Sequence, residues 1–295
     1  MNLGNVAIAA GIMGGLGLLF GVVLAVASRF LHVEEDPRID IVEELLPGSN
    51  CGACGEAGCR ALAEKVALGD AAPSKCTVAA AAAIEAIADA LGVDAGAQEK
   101  RVARLHCAGG RAQATQIAEY EGYEGCRAAA LVGGGGKGCS WGCLGLADCE
   151  VACTFDAIVM NDNGLPVVLV DKCTACGDCV DACPRDLFEI LPLSHSLIVQ
   201  CKVPLASEAA TALCSVACDA CGRCAQDAAP GLIVMKDNLP VVDYAAGGPA
   251  APEATFRCPT GAIRWVEGAQ FPGRGQARGG ERAAQDATTT ESADG

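Results

Sequence analysis

Aromatic residues make up only 4% of the 295 residues, and alanine supplies much of the 52% hydrophobic share, which excludes a large apolar core as the organiser of the fold. Basic charge is also short: 21 Lys and Arg stand against 36 Asp and Glu, a formal net charge of −15. Phosphate binding needs clustered cations to displace counterions, so no nucleic-acid role is expected. No Gly-x-Gly-x-x-Gly joins a strand to a helix, so NAD and flavin are expected to bind elsewhere. Gly133-Gly-Gly-Gly-Lys137-Gly138 has Gly138 where a phosphate loop carries Ser or Thr, and Leu131 where its first glycine belongs. It reads as a flexible turn, and no catalytic residue is assigned.

What the chain has in excess is cysteine, 20 residues. They recur as close triplets, too near one another to form a natural set of cross-links. Zinc sites use two pairs of ligands, whereas a triplet with a distant Cys-Pro suits a [4Fe–4S] cubane. Iron held by thiolates is therefore the expected metal, and a zinc-stabilised interaction module is the non-redox rival.

Val6 to Ala27 runs 22 residues without a charge, about 33 Å as a helix, against a hydrocarbon core of about 30 Å. It reads as one transmembrane helix, with Gly11, Gly15, Gly17 and Gly21 offering close approach to a neighbouring helix. Ala25-Val26-Ala27 imitates a signal-peptide cleavage site, but no Lys or Arg precedes the apolar run. Arg29 after the span, and thiols that must stay reduced to receive iron, favour a cytoplasmic carboxyl-terminal side.

Residues 39–46 have a helical apolar pattern ended by Pro47-Gly48. Cys51, Cys54 and Cys59 follow in a glycine-rich loop, and with Cys76 they make one four-thiolate set. Helices are expected over 60–68 and 77–91. Residues 100–137 carry Lys100, Arg101, Arg104, Arg111, Arg127 and Lys137, which read as a solvated face or a docking patch for an acidic partner.

Offset by 75 residues, the chain repeats itself: Ile158–Val168 recurs as Ile233–Val242, one glycine shorter, and Cys139, Cys143, Cys149 and Cys183-Pro184 recur as Cys214, Cys218, Cys224 and Cys258-Pro259. Each copy resembles a bacterial two-cluster ferredoxin, whose halves exchange their fourth cysteines. That resemblance implies one cluster on Cys153, Cys173, Cys176 and Cys179, and another on Cys143, Cys149 and Cys183. The other's missing position is Leu146, and Cys139 is expected to fill it; failing that, the site would hold three irons. Thr154 stands where such ferredoxins have proline. In the second copy Ala228, Gly248, Ala251 and Ala254 replace all four ligands of one cluster, leaving Cys218, Cys221, Cys224 and Cys258 as the other. Cys107, Cys126, Cys201 and Cys214 remain, either as a fifth set or as free buried thiols. His106 beside Cys107 reads as a capping residue rather than a ligand.

Leu46-Pro-Gly-Ser-Asn-Cys-Gly-Ala-Cys-Gly-Glu-Ala-Gly-Cys59, with Cys76 and the preceding apolar helix, resembles the B subunit of the Rnf ion-translocating ferredoxin:NAD oxidoreductase, in its long form with extra ferredoxin-like repeats. Thr77-Val-Ala-Ala80 departs from that family's glycines. The resemblance implies an α+β chain: an anchor over 1–30, a small mainly helical 4Fe–4S domain over 36–95, ferredoxin-like repeats over 100–195 and 196–266, and a disordered tail over 267–295. It further implies a translocase subunit in the cytoplasmic membrane, ferredoxin as electron donor and other subunits as partners. The direction of electron flow and the ion moved, Na+ or H+, stay open, and a polyferredoxin relay of another membrane redox complex is the redox rival.

Overall fold

The computed structural model describes residues 3–30, 36–97, 99–245 and 247–271, with the side chains of 3–10 excepted. The expected tail lies almost wholly outside the described residues. The chain begins with α1 (Leu3–Phe30), whose segment Gly11–Phe30 is long and apolar enough to cross a membrane and is 0% buried. Met13, Leu18, Phe20 and Leu24 stand exposed along it, an arrangement suited to lipid rather than water.

Three short helices follow, α2 (Pro37–Leu45), α3 (Cys59–Leu68) and α4 (Ala81–Leu91). Asp36 caps α2 by accepting the Arg38 N–H, and Pro37 opens it. Left-handed Gly69 and Gly92 end α3 and α4. Ile39, Val42, Leu62, Val66 and Ile87 form the core between the helices, each burial worth about 1.5–3 kcal/mol. The helix expected from residue 77 starts only at Ala81, because the amides of Val78 and Ala79 turn to the Cys76 thiol instead of entering a helical ladder.

The rest of the chain is built on four two-stranded antiparallel sheets. β1 (Arg101–Leu105) leads to a short helix, α5 (Cys126–Leu131), and then to the hairpin β2 (Ile158–Met160) and β3 (Pro166–Val168). β4 (Phe188–Pro192) closes the first unit by pairing with β1, Arg101 opposite Pro192 and Leu105 opposite Phe188. The second unit repeats the plan. β5 (Leu197–Val199) pairs with β8 (Ile263–Trp265) around the hairpin β6 (Ile233–Lys236) and β7 (Leu239–Val242). The duplicated Ile-Val-Met and Leu-Pro-Val-Val segments are thus the hairpins, where β-branched residues fit a pleated, half-buried surface.

Alternation along β1 sends Ala103 and Leu105 into the core of the first unit with Ile158, Leu165, Leu187 and Phe188. Arg104 lies opposite Glu189 and is fully buried, its Nη1 donating to the Gly268 carbonyl at 2.6 Å. Lys137 is also buried, at 8% exposure. The basic stretch is therefore not one solvated face: Lys100, Arg101, Arg111 and Arg127 are exposed, while two cations point inward.

Candidate metal centres

In the helical domain, Cys51, Cys54 and Cys59 lie on the loop into α3, and Cys76 packs with Cys54 and Cys59 against the core. Gly52 and Gly55 adopt left-handed φ of 69° and 80°, which lets the loop curl without steric strain. Gly58 has a different reason to be glycine: a Cβ there would sit 2.8 Å from Asn50 Oδ1, the atom that accepts the Cys59 N–H at 2.8 Å. The Cys76 thiol is pushed up, first by burial, while the Val78 and Ala79 amides oppose the push.

In the first ferredoxin-like unit, Cys153, Cys173, Cys176 and Cys179 line one enclosed cavity together with Ala103 and Ile190. Burial and then its neighbours Cys173, Cys176 and Cys153 push Cys179 up to about 12. A second cavity is lined by Cys126, Cys143, Cys149 and Cys183. The thiol that spacing assigns here, Cys139, is absent from it; Cys126 takes the place left by Leu146. The reason is local. Residues 111–137 carry an insertion without a counterpart in the second unit, and α5 docks at its start, the Arg127 N–H donating to Asp148 Oδ2 at 3.0 Å and the Arg127 Nη2 to the Asp181 carbonyl at 2.7 Å. This carries Cys126 inward so that the amides of Asp148 and Leu146 itself face its sulfur. Cys149 is raised first by burial and then by Cys143, Cys126 and Cys183.

Cys139 lies instead with Cys107, Cys201 and Cys214 around a third cavity. This group is built from both units. Cys107 and Cys201 follow equivalent strands β1 and β5, and Cys139 and Cys214 are 75-residue counterparts, so the four are related by a pseudo-two-fold. The main chain repeats the symmetry: the His106 N–H donates to Leu187 O at 2.8 Å, and the Gln200 N–H to Ala262 O at 2.7 Å. The units are also tied across the site, Thr115 N–H to Leu213 O at 3.0 Å and Ser215 N–H to Gln113 O at 2.9 Å. His106 is occupied, its Nδ1 2.7 Å from the Val199 carbonyl and its Nε2 3.0 Å from Glu189 Oε2.

In the second unit Cys218, Cys221, Cys224 and Cys258 come together: Cys224 is raised by burial and then by Cys258 and Cys221, and Cys258 packs with Cys218. Burial pushes Cys218 up to about 11. All 20 cysteines are free thiols, and 16 of them stand in four groups of four, beside Cys54, Cys59 and Cys76 of the helical domain. Spacing alone gathers 16 of them into complete sets and puts Cys139 where Cys126 stands. The visible signal for the exchange is the 75-residue offset itself, which pairs Cys139 with Cys214.

These donor sets fit iron–sulfur clusters. Four thiols line each of three small cavities, the all-thiolate donor set that a [4Fe–4S] cubane takes. Backbone amides reach the sulfurs, as N–H···S bonds to clusters require: Ala157 N–H to Cys153 Sγ at 3.3 Å and Val203 N–H to Cys201 Sγ at 3.5 Å. Grouped thiols on small ferredoxin-like sheets, several of them met by main-chain donors, define a carrier of [4Fe–4S] clusters that transfers electrons.

Similarity to known proteins points the same way. The Fe-S cluster family model matches residues 46–78, and the 4Fe-4S binding domain matches residues 166–189. The chain is 41% identical over 242 residues, 82% of its length and 73% of the relative's, to the B subunit of the Na+-translocating ferredoxin:NAD+ oxidoreductase complex of Acetobacterium woodii. It is 40% identical over 258 residues, 86% and 90% of the two chains, to the B subunit of the proton-translocating ferredoxin:NAD+ oxidoreductase complex of Clostridium ljungdahlii. The B subunit of the ion-translocating oxidoreductase complex of Methanosarcina acetivorans is 36% identical over 232 residues, 79% and 88% of the two chains. The chain belongs to this family, the B subunits of Rnf-type complexes, and is an iron–sulfur electron-transfer subunit of a multi-subunit oxidoreductase.

Proposed function

We propose that the chain holds five [4Fe–4S] clusters in one series and relays electrons from ferredoxin toward the NAD-reducing and ion-moving subunits of a membrane translocase. The order rests on contacts between the groups. Cys76 and Cys173 line one shared cleft. Cys179 neighbours Cys149. The Cys143 N–H donates to Cys107 Sγ at 3.3 Å, and the Cys218 N–H donates to Cys201 Sγ at 3.3 Å. The series then reads Cys51/54/59/76, Cys153/173/176/179, Cys126/143/149/183, Cys107/139/201/214 and Cys218/221/224/258.

The single observation that carries the reading is that pair of amide-to-sulfur bonds, because each joins a ligand of one group to a ligand of the next. When bound, such clusters supply one-electron acceptor sites. The chain's own part is to bury the thiolates, exclude water and aim N–H dipoles at sulfur, which sets the driving force. Ferredoxin as donor, the cytoplasmic side of the membrane as the location of the cluster domains and anchoring by α1 are part of the same proposal. The names of the relatives support ferredoxin as donor, the apolar helix supports the anchor, and Arg29 after the span with thiols that must stay reduced supports the cytoplasmic side.

The test is anaerobic iron and sulfide analysis of the full chain with paramagnetic resonance. Five cubanes give about 20 irons, reducible by reduced ferredoxin; about 16 irons, with Cys107, Cys139, Cys201 and Cys214 alkylated in the folded protein, would remove the central site from the series.

A further inference from the structure

The four-glycine run is not a flexible spacer. Gly133, Gly134, Gly135 and Gly136 all have left-handed φ, from 58° to 75°, a conformation that L side chains rarely hold. The last of them lies against the main chain of the insertion: a Cβ on Gly136 would be 2.0 Å from Ala118 O, and the Gly136 carbonyl accepts the Ile117 N–H at 2.8 Å. The consequence is where the next residue goes. Lys137 is turned inward, and its Nζ donates to the carbonyls of Gly109 and Cys143. Its side chain lines the same cavity as Cys107, Cys139, Cys201 and Cys214, and Cys143 belongs to the adjoining group. An ammonium has three N–H donors and these bonds use two; among the described residues no carboxylate forms an ion pair with it. A buried cation without an acid partner is costly unless negative charge lies nearby, and the thiolate groups on either side are that charge.

We propose that Lys137 is a positioning residue for electron transfer: its fixed ammonium, delivered by the glycine run, raises the reduction potential of the central Cys107/139/201/214 cluster so that an electron is held there between its two neighbours. This rests on the five-cluster reading. A unit charge within about 10 Å, at an effective dielectric near 20, changes a one-electron equilibrium by about tenfold or more, and tenfold is about 59 mV.

The experiment is a potentiometric titration of the full chain followed by paramagnetic resonance, in Lys137→Gln, Lys137→Arg and Lys137→Met. Gln keeps donors for both carbonyls and removes the charge. The expected result is unchanged iron in Lys137→Gln, a fall of at least tenfold in the reduced-to-oxidised ratio of one cluster at fixed potential, and recovery in Lys137→Arg. Unchanged iron with an unchanged ratio overturns the proposal. Loss of iron in both Gln and Met variants, with retention in Arg, also overturns it, since Lys137 would then hold the loop rather than tune a potential. Cys214→Ala separates the two readings: if it removes no iron, the central cluster fails; if it removes about one iron, leaving a three-iron centre, or about four, only the role of Lys137 is in question.

Discussion

Replacing Cys126 and Cys139 one at a time sets the structural assignment against the one read from spacing. Ligand exchange as inferred from sequence gives Cys139 to the Cys143/149/183 site and leaves Cys126 spare. The structure reverses them, because α5 is pinned by Arg127 to Asp148 and to the Asp181 carbonyl. Cys126→Ala keeps that pinning, which is main chain and Arg127 side chain, so the fold of the insertion stays while one thiolate of four is lost. Iron should fall from about 20 to about 19 if three irons remain, or to about 16 if the cubane is lost. Either way the altered signal belongs to the cluster next to Cys153/173/176/179. Cys139→Ala should remove a similar amount from a different cluster, and the double variant should lose the sum of both, because the sites share no ligand. The assay is iron and sulfide analysis with paramagnetic resonance of oxidised and reduced protein, in which a three-iron centre is recognised in the oxidised state. If Cys139→Ala alone perturbs the cluster on Cys143, Cys149 and Cys183, and Cys126→Ala leaves all iron in place, the geometry described above is refuted.

Three further outcomes follow from the packing. Leu187 is fully buried among Leu105, Leu165 and Phe188, so Leu187→Ala should cost about 2–5 kcal/mol, read as a lower denaturation midpoint of the cluster-loaded protein. Gly136→Ala combines a φ of 75° with a Cβ 2.0 Å from a carbonyl; it should destabilise by at least about 1–3 kcal/mol, and an unchanged midpoint would show that the run is not held as described. Glu56 bridges Lys65 and Lys75 at 2.6 Å each, and the hydrogen bonds from Lys65 and then Lys75 hold its carboxyl below the usual value. A lowered folded pKa gives stability that is full above the unfolded value of about 4.3 and is lost as pH falls through the lower folded one. Bleaching of the amino-terminal cluster on acidification should therefore steepen below about pH 4.3 in the wild type, and Glu56→Gln should flatten that dependence.

Much of the site is legible in the sequence where ligands are close along the chain. The Cys173-x-x-Cys-x-x-Cys triplet, the Cys51–Cys59 loop and the partition of losses in the second copy all express local loop geometry; the structure brings together Cys173, Cys176 and Cys179, Cys54, Cys59 and Cys76, and Cys221, Cys224 and Cys258. The hairpins likewise follow from the repeated β-branched segments. Long-range pairings are harder: Cys126 lies in the insertion and Cys139 just beyond it, 13 residues on, and nothing in spacing says which of the two turns toward Cys143, Cys149 and Cys183. What decides is the docking of α5, by the Arg127 N–H on Asp148 and the Arg127 guanidinium on the Asp181 carbonyl. Burial of Arg104 and Lys137 escapes the sequence for a related reason. Charge patterning counts side chains along a segment, while their fate depends on which sheet face or glycine turn presents them. The start of the helix at Ala81 is hidden because alanine propensity masks the pull of the Cys76 sulfur on two amides.

The pseudo-symmetric site has a consequence for how the protein matures. Three of the other groups are complete within the chain up to Cys183, and those can be filled while synthesis is still under way. The shared group has its first half from Cys107 and its second only once Cys214 has been made. On the proposed five-cluster reading its metal is installed only after both halves exist and have met, so that insertion would act as a checkpoint on pairing: a chain truncated before residue 214 would keep its earlier centres and have no path beyond them.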